Sequence, residues 1–196
     1  MVLDDLESYA ALLRKWQPAQ NLVSRETLSE LWTRHFADSL QILPLISVDD
    51  TRFLDLGSGG GFPALPLAIA LKGSGRHFLL VEPNERKASF LRTVKRELDL
   101  DVTVLAKRSE EIDSRETGDF NVITSRALAA LPQLCIWMAP FFTSGTRALL
   151  HKGREHGAEL REAATQYHFD VVTTASTTDA SGVILTLSNL RSISAA

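Results

Sequence analysis

Before Arg52 the apolar residues recur at helical spacing. Leu3, Leu6, Tyr9, Ala10 and Leu13 mark one face of a helix running to Trp16, which Pro18 is expected to break. Leu28, Leu31, Trp32, His35, Phe36, Ser39, Leu40 and Leu43 form a second helical stripe that ends at Pro44. From Arg52 short apolar runs alternate with amphipathic stretches. RFLDLG (Arg52 to Gly57), HFLLVE (His77 to Glu82), VTVL (Val102 to Leu105), FNVITS (Phe120 to Ser125) and RALLHKG (Arg147 to Gly153) read as parallel strands buried on both faces, each followed by a helix. The clearest helix covers Asn84 to Leu98, with Asn84 as its cap, Phe90, Leu91, Val94 and Leu98 inward, and Arg86, Lys87, Arg92, Lys95 and Arg96 outward. Phe169 to Thr173 and Val183 to Leu187 predict a terminal antiparallel hairpin, and Arg191 to Ala196 a frayed tail. The fold expected is α/β and Rossmann-like: a seven-stranded, mostly parallel sheet closed by a hairpin, with helices in front. Residues 1–48 would form an N-terminal helical cap and residues 49–196 the main domain, in one compact unit.

Composition narrows the class. A chain of 196 residues with 44% hydrophobic and 23% charged residues can bury one core. A net charge of −3 gives no protein-wide field for holding a polyanion, so such a partner needs a local patch. The one cysteine, Cys135, excludes an internal disulfide and a multi-cysteine zinc site, and its apolar helical setting predicts a buried thiol. The acidic opening MVLDDLESYA lacks the marks of a signal peptide, and the longest apolar run, ALPLAIAL, is far below the roughly 18 residues a membrane span requires. A cytoplasmic, metal-free monomer away from the membrane is expected.

The strongest chemical signal is DLGSGGGFP, Asp55 to Pro63, between the first strand and a helix. Such a turn is either a tight connection or a ligand cradle; four clustered glycines carry a large conformational entropy cost, which favours the cradle. The dinucleotide fingerprint fails because Phe62 stands where its third glycine belongs, and no phosphate-loop string occurs. Glu82 ends the second strand 25 residues after Gly57, where a carboxylate can accept both hydroxyls of a ribose. An adenosine ligand without a pyrophosphate fits, and S-adenosyl-L-methionine is one.

HFADSL (His35 to Leu40), DLGSGGGFPALPLAI (Asp55 to Ile69), LLVEPNERKASFL (Leu79 to Leu91), KRSEEI (Lys107 to Ile112) and TSRALAAL (Thr124 to Leu131) together resemble, in order and spacing, the glucose-inhibited division protein B family. These are bacterial 16S ribosomal RNA guanine-N7 methyltransferases. The resemblance implies a class I S-adenosylmethionine-dependent methyltransferase fold and a 16S ribosomal RNA or small-subunit partner. It also implies cofactor contacts at Gly57, Ser58, Gly59, Gly61 and Phe62, with Asp55 beneath the turn, Glu82 on the ribose, Ser109 and Glu110 on the adenine side, and Arg126 at the cofactor site. Family members usually continue into a basic tail, whereas this sequence stops at SNLRSISAA, so an RNA contact through such a tail is not assumed.

The acceptor atom is read from what is missing. SRAL follows the fourth strand where enzymes acting on exocyclic amines often carry an Asn/Asp-Pro-Pro-aromatic string, and Cys135 is not set up as a nucleophile for pyrimidine C5. Guanine N7 has no proton to lose, so no general base is required and no catalytic acid or base is assigned. His35, Lys152 and Arg154 are the candidate RNA contacts, with a packed helix histidine as the plainer reading of His35. A protein or small-molecule acceptor, or a non-catalytic cofactor-binding assembly protein, are the alternatives.

Overall fold

The computed structural model describes residues 1–193. A single sheet has the order β3-β2-β1-β4-β5-β7-β6, with β7 the strand that runs antiparallel to its neighbours. The strands are β1 (Arg52–Leu56), β2 (His77–Val81), β3 (Val102–Leu105), β4 (Val122–Arg126), β5 (Arg147–Lys152), β6 (Tyr167–Ala175) and β7 (Val183–Ser192). All seven expected strands form, because each apolar run is long enough to be covered from both sides or from its inner face. The hairpin is longer than expected. Arg191 and Ser192, read as part of a frayed tail, pair with His168 and Tyr167, while residues 194–196 of that tail lie outside the described residues.

One face of the sheet, with Phe53, Phe78, Leu80, Val122 and Leu149, packs against α1 (Val2–Gln20), α3 (Ala64–Ala70) and α4 (Glu85–Glu97). The other face, with Leu54, Val81, Ile123, Leu150 and Leu185, packs against α6 (Leu131–Met138) and α7 (His156–Ala163). In α4 the Asn84 side chain accepts from the Arg86 and Lys87 amides, a cap worth about 1 kcal/mol. Phe90, Leu91 and Val94 are wholly buried, each stabilising the fold by roughly 1.5–3 kcal/mol.

The helices depart from expectation in three places. Pro18 does not end α1: it lies in the last turn, and Asn21, left-handed at φ 45°, closes the helix with its amide on the Gln17 carbonyl. The expected second helix starts late. Ser24 and Thr27 bond each other and their own backbone, holding residues 24–30 out of a helix, and the helical path begins only at Leu31 and the π-wound Trp32–Ala37, followed by α2 (Asp38–Leu40). Pro44 then sits inside a short turn, Leu43–Leu45. Between β3 and β4 there are only two single turns, Ser109–Glu111 and α5 (Ser114–Thr117), in place of a full crossover helix.

Candidate functional site

Strand order reverses between β1 and β4, and in open parallel sheets ligands bind outside the carboxyl ends of the strands at such a reversal. A cavity of about 910 Å³ opens there. Gly57, Ser58, Gly59, Gly60, Phe62 and Glu82 line one side, and Arg126, the Ala127–Ala130 loop, His151, Lys152 and the hairpin residues Ser176, Thr178 and Asp179 the other.

The glycine turn is shaped from behind. Tyr9 in α1 donates its hydroxyl hydrogen bond to the Gly60 carbonyl, and Gln17 holds Leu22 and Val23 by their backbones, so that the Leu22 carbonyl lies against Gly60. Gly57, Gly59 and Gly61 are left-handed, at φ 68°, 55° and 98°. A side chain at Gly57 or Gly61 would strike Leu128 or Leu65, but a Cβ at residue 59 would meet nothing nearer than the Gly57 carbonyl oxygen at 3.8 Å, an ordinary contact. Gly59 lines the cavity.

One carboxylate lines the cavity and another lies behind the turn. Glu82 is buried, with Oε2 accepting from the Gly59 amide at 2.8 Å and Oε1 from the Asn84 amide at 2.9 Å. Each oxygen keeps a second lone pair. Asp55 lies beneath the turn; its Oδ1 accepts from Thr124 Oγ1 at 2.6 Å, while Oδ2 is buried with no partner. Desolvation raises its carboxyl pKa to about 7 against the hydrogen bonds from Ser58 and Thr124. An open backbone cradle, a ribose-height carboxylate and an orphaned acidic oxygen fit a ligand that brings hydroxyls and positive charge, as S-adenosylmethionine does.

The opposite wall is a buried polar cluster. Arg126 donates to the Arg34 carbonyl and Asp38 Oδ2, both at 3.0 Å, and to His35 Nδ1 at 2.7 Å, with its guanidinium over the Phe62 ring. His35 Nε2 then donates to Thr27 Oγ1 at 2.8 Å, so both ring nitrogens are engaged inside the protein. Burial, then the Arg126 charge, lowers the His35 pKa to about 4. Asp38 also accepts from Thr178, which ties the hairpin loop to α2.

Most of the residues proposed from sequence meet here, and some do not. Gly57, Ser58, Gly59, Phe62, Glu82 and Arg126 line the cavity, with Asp55 and Gly61 behind it. Ser109 and Glu110 lie on the turn after β3, outside the cavity lining. Of the candidate RNA contacts, His35 lines the cavity but is buried with both ring nitrogens bonded, Lys152 lines it with a side chain only 7% exposed that donates to Ala129 and Glu159, and Arg154 is exposed outside the lining. Cys135 is buried as expected, its thiol pushed up to about 12. Asp38, His151 and Glu159 were not singled out as site residues; Asp38 lies within the HFADSL block, but nothing in the sequence marks the other two. Among the described residues no three His, Cys, Asp or Glu side chains are placed to hold a metal, and no helix is long and apolar enough to cross a membrane.

Residues 2–187 match the profile of the rRNA small subunit methyltransferase G family. The ribosomal RNA small subunit methyltransferase G of Bartonella tribocorum is 42% identical over 191 residues, 97% of this chain and 89% of that protein. That of Methylorubrum populi is 45% identical over 186 residues, 94% and 87% of the two chains. Among solved structures, a SAM dependent methyltransferase from Aquifex aeolicus superposes with TM-score 0.60 at 13% identity, covering 81% of this chain and 91% of that one. A mutant of MtNAS in complex with S-adenosylmethionine gives TM-score 0.61 at 16% identity, covering 93% and 70%. These two likenesses are of fold.

Proposed function

Because this chain belongs to the rRNA small subunit methyltransferase G family, we propose that it transfers a methyl group from S-adenosyl-L-methionine to N7 of a guanosine in 16S ribosomal RNA, acting as a monomer in the cytoplasm. The observation that carries this reading is the cradle at the end of β1: Gly57, Ser58, Gly59 and the buried Glu82 carboxylate line one cavity, with the unpartnered Asp55 oxygen beneath the turn.

The cofactor, when bound, supplies an electrophilic methyl on a sulfonium. The protein's part is to bind, orient and exclude water. Gly57, Ser58 and Gly59 would bring backbone to the ligand beside Phe62, Gly61 would shape the turn from behind, Glu82 would use its spare lone pairs on the ribose, and Asp55, beneath the turn, would balance positive charge. Ser109 and Glu110, joined to this edge through the Glu82 amide on the Leu105 carbonyl, take the adenine side. Arg126 shapes the acceptor wall through Asp38 and His35. Guanine N7 attacks with an in-plane lone pair and loses no proton, so a site without a general base suffices. Residues His35 and His151, whose pKa values burial lowers, stay neutral and add no cation opposite the donor.

The test is transfer of labelled methyl to 16S ribosomal RNA, and to small subunits from a strain lacking the enzyme, with nucleoside analysis. Label in 7-methylguanosine supports the reading; label in protein, or in no acceptor despite cofactor binding, overturns it.

Asp55 gives a pH prediction. Its folded pKa, about 7, lies above the ordinary 3.8, so its contribution to stability is fully present below about 3.8 and is lost as pH rises through about 7. A bound cation favours the ionised form, so cofactor binding is expected to release a proton near neutral pH and to tighten as pH rises from about 6 to 8. Calorimetry in two buffers of different ionisation enthalpy measures that proton. A pH-independent affinity, or an Asp55→Asn variant with the same pH profile, would sink the assignment.

A further inference from the structure

The Ala127–Ala130 loop joins β4 to α6 and forms a wall of the cavity. Ala127 holds φ 53°, a left-handed backbone that a residue with a Cβ keeps only when its surroundings impose it. Leu128 leans directly on the glycine turn: a Cβ at Gly57 would stand 2.4 Å from its Cδ1. The loop therefore lines the cavity and packs against the glycine turn.

Two side chains hold it. Lys152, the last residue of β5, donates from Nζ to the Ala129 carbonyl at 2.7 Å and to Glu159 Oε2 at 2.7 Å. Glu159, on α7, accepts at 2.7 Å from the amide of Leu131, the first residue of α6. The side chains are 7% and 21% exposed, too buried for a solvated surface pair. The lysine grips the loop's carbonyl and the glutamate grips the amide where the helix begins, so the pair bridges the loop's end. Lys152 lies on the face of β5 that carries Leu150 two residues earlier, and its ammonium is engaged by the Ala129 carbonyl and by Glu159.

We propose that Lys152 and Glu159 are positioning residues for methyl transfer: together they lock the Ala127–Ala130 loop against the glycine turn so that the acceptor base meets the methyl in line. The inference rests on the methyl-transfer reading above. A reaction that needs no general base takes its rate from proximity and orientation, and a misplacement of about 1 Å can slow such a step ~100-fold.

The experiment uses the full-length protein and its Lys152→Met, Glu159→Ala and charge-reversed Lys152→Glu/Glu159→Lys variants. Cofactor affinity, kcat and KM for small subunits, and the salt dependence of RNA binding are measured on each. Both single variants are expected to bind cofactor and RNA nearly as the parent does, with kcat lower by ~10- to 100-fold. The reversed pair should not recover, because a carboxylate at 152 cannot donate to the Ala129 carbonyl and an ammonium at 159 cannot accept from the Leu131 amide. Recovery in the reversed pair would reduce the contact to an ordinary ion pair and overturn the proposal. So would tighter RNA binding in Glu159→Ala with a salt slope lower by about one in Lys152→Met, the signature of a lysine that contacts phosphate. An inactive parent protein would instead remove the methyl-transfer reading, so the two failures are separable.

Discussion

Replacing Gly60 by alanine is expected to destabilise the whole fold, and replacing its neighbour Gly59 to abolish cofactor binding while the fold survives. Gly60 has no left-handed φ to protect, but an added Cβ would lie 2.8 Å from the Leu22 carbonyl oxygen. That carbonyl cannot retreat easily, since Gln17 fixes the backbone of Leu22 and Val23 and Tyr9 fixes Gly60 itself. Forcing a methyl into such a contact costs about 1–3 kcal/mol. In a chain of this size that lowers Tm by roughly 2–12 °C. At Gly59 a Cβ would make only an ordinary contact, 3.8 Å from the Gly57 carbonyl oxygen, and the φ of 55° adds the strain of a left-handed alanine, about 1–2 kcal/mol. Its methyl, however, enters the ligand's place. Thermal unfolding with and without S-adenosylmethionine separates the two: Gly60→Ala should keep the ligand-induced rise from a lower baseline, and Gly59→Ala should lose the rise. The reverse assignment of the two effects would mean that the cavity is not where the ligand sits.

The same turn shows why part of this protein is legible in its sequence. Strands β1 to β5 are buried runs whose composition alone sets them apart, and the glycines announce a backbone that must come close to something. Those signals are local. At Pro18 and at Leu28 to Leu43 local signals mislead: the apolar stripe is real, yet the hydroxyls of Ser24 and Thr27 compete with the helix for its own backbone, and a π turn rather than an α turn carries His35 and Phe36 inward. The wall opposite the glycine turn is built from partners far apart in the chain. Asp38 meets Arg126 across 88 positions and Thr178 across 140, pairings that no spacing within one element encodes. Lys152 illustrates the limit: its sheet edge and its face, that of Leu150, are readable from the strand's alternation, but what it grips is set by α7 and the loop after β4.

Arg126 provides the other large expected effect. Its side chain is 15% exposed and Asp38's 16%, so Arg126→Met would leave a carboxylate partly stranded from water. Breaking a buried pair from one side costs about 3–5 kcal/mol; here Thr178 and Gln41 still donate to Asp38, which puts the expectation at the lower end, about 3 kcal/mol. Lysine would not substitute, because one ammonium does not span the Arg34 carbonyl, Asp38 and His35 as the planar fork does. The histidine supplies an independent reading. In the parent protein the folded pKa of His35, about 4, lies below the ordinary 6.5. Its contribution to stability is thus intact above about 6.5 and is lost as pH falls towards 4. Removing Arg126 deletes the second-largest cause of that depression, so the His35 pKa should rise and the acid loss of stability from this residue should shrink, even as the protein becomes less stable at neutral pH. Urea unfolding across pH 4 to 8, with the His35 ring followed by NMR, measures both changes together. If Arg126→Met left stability and the His35 titration unchanged and lost only cofactor affinity, Arg126 would be a direct cofactor contact. The wall would then owe its shape to the Asp38–Thr178 link alone.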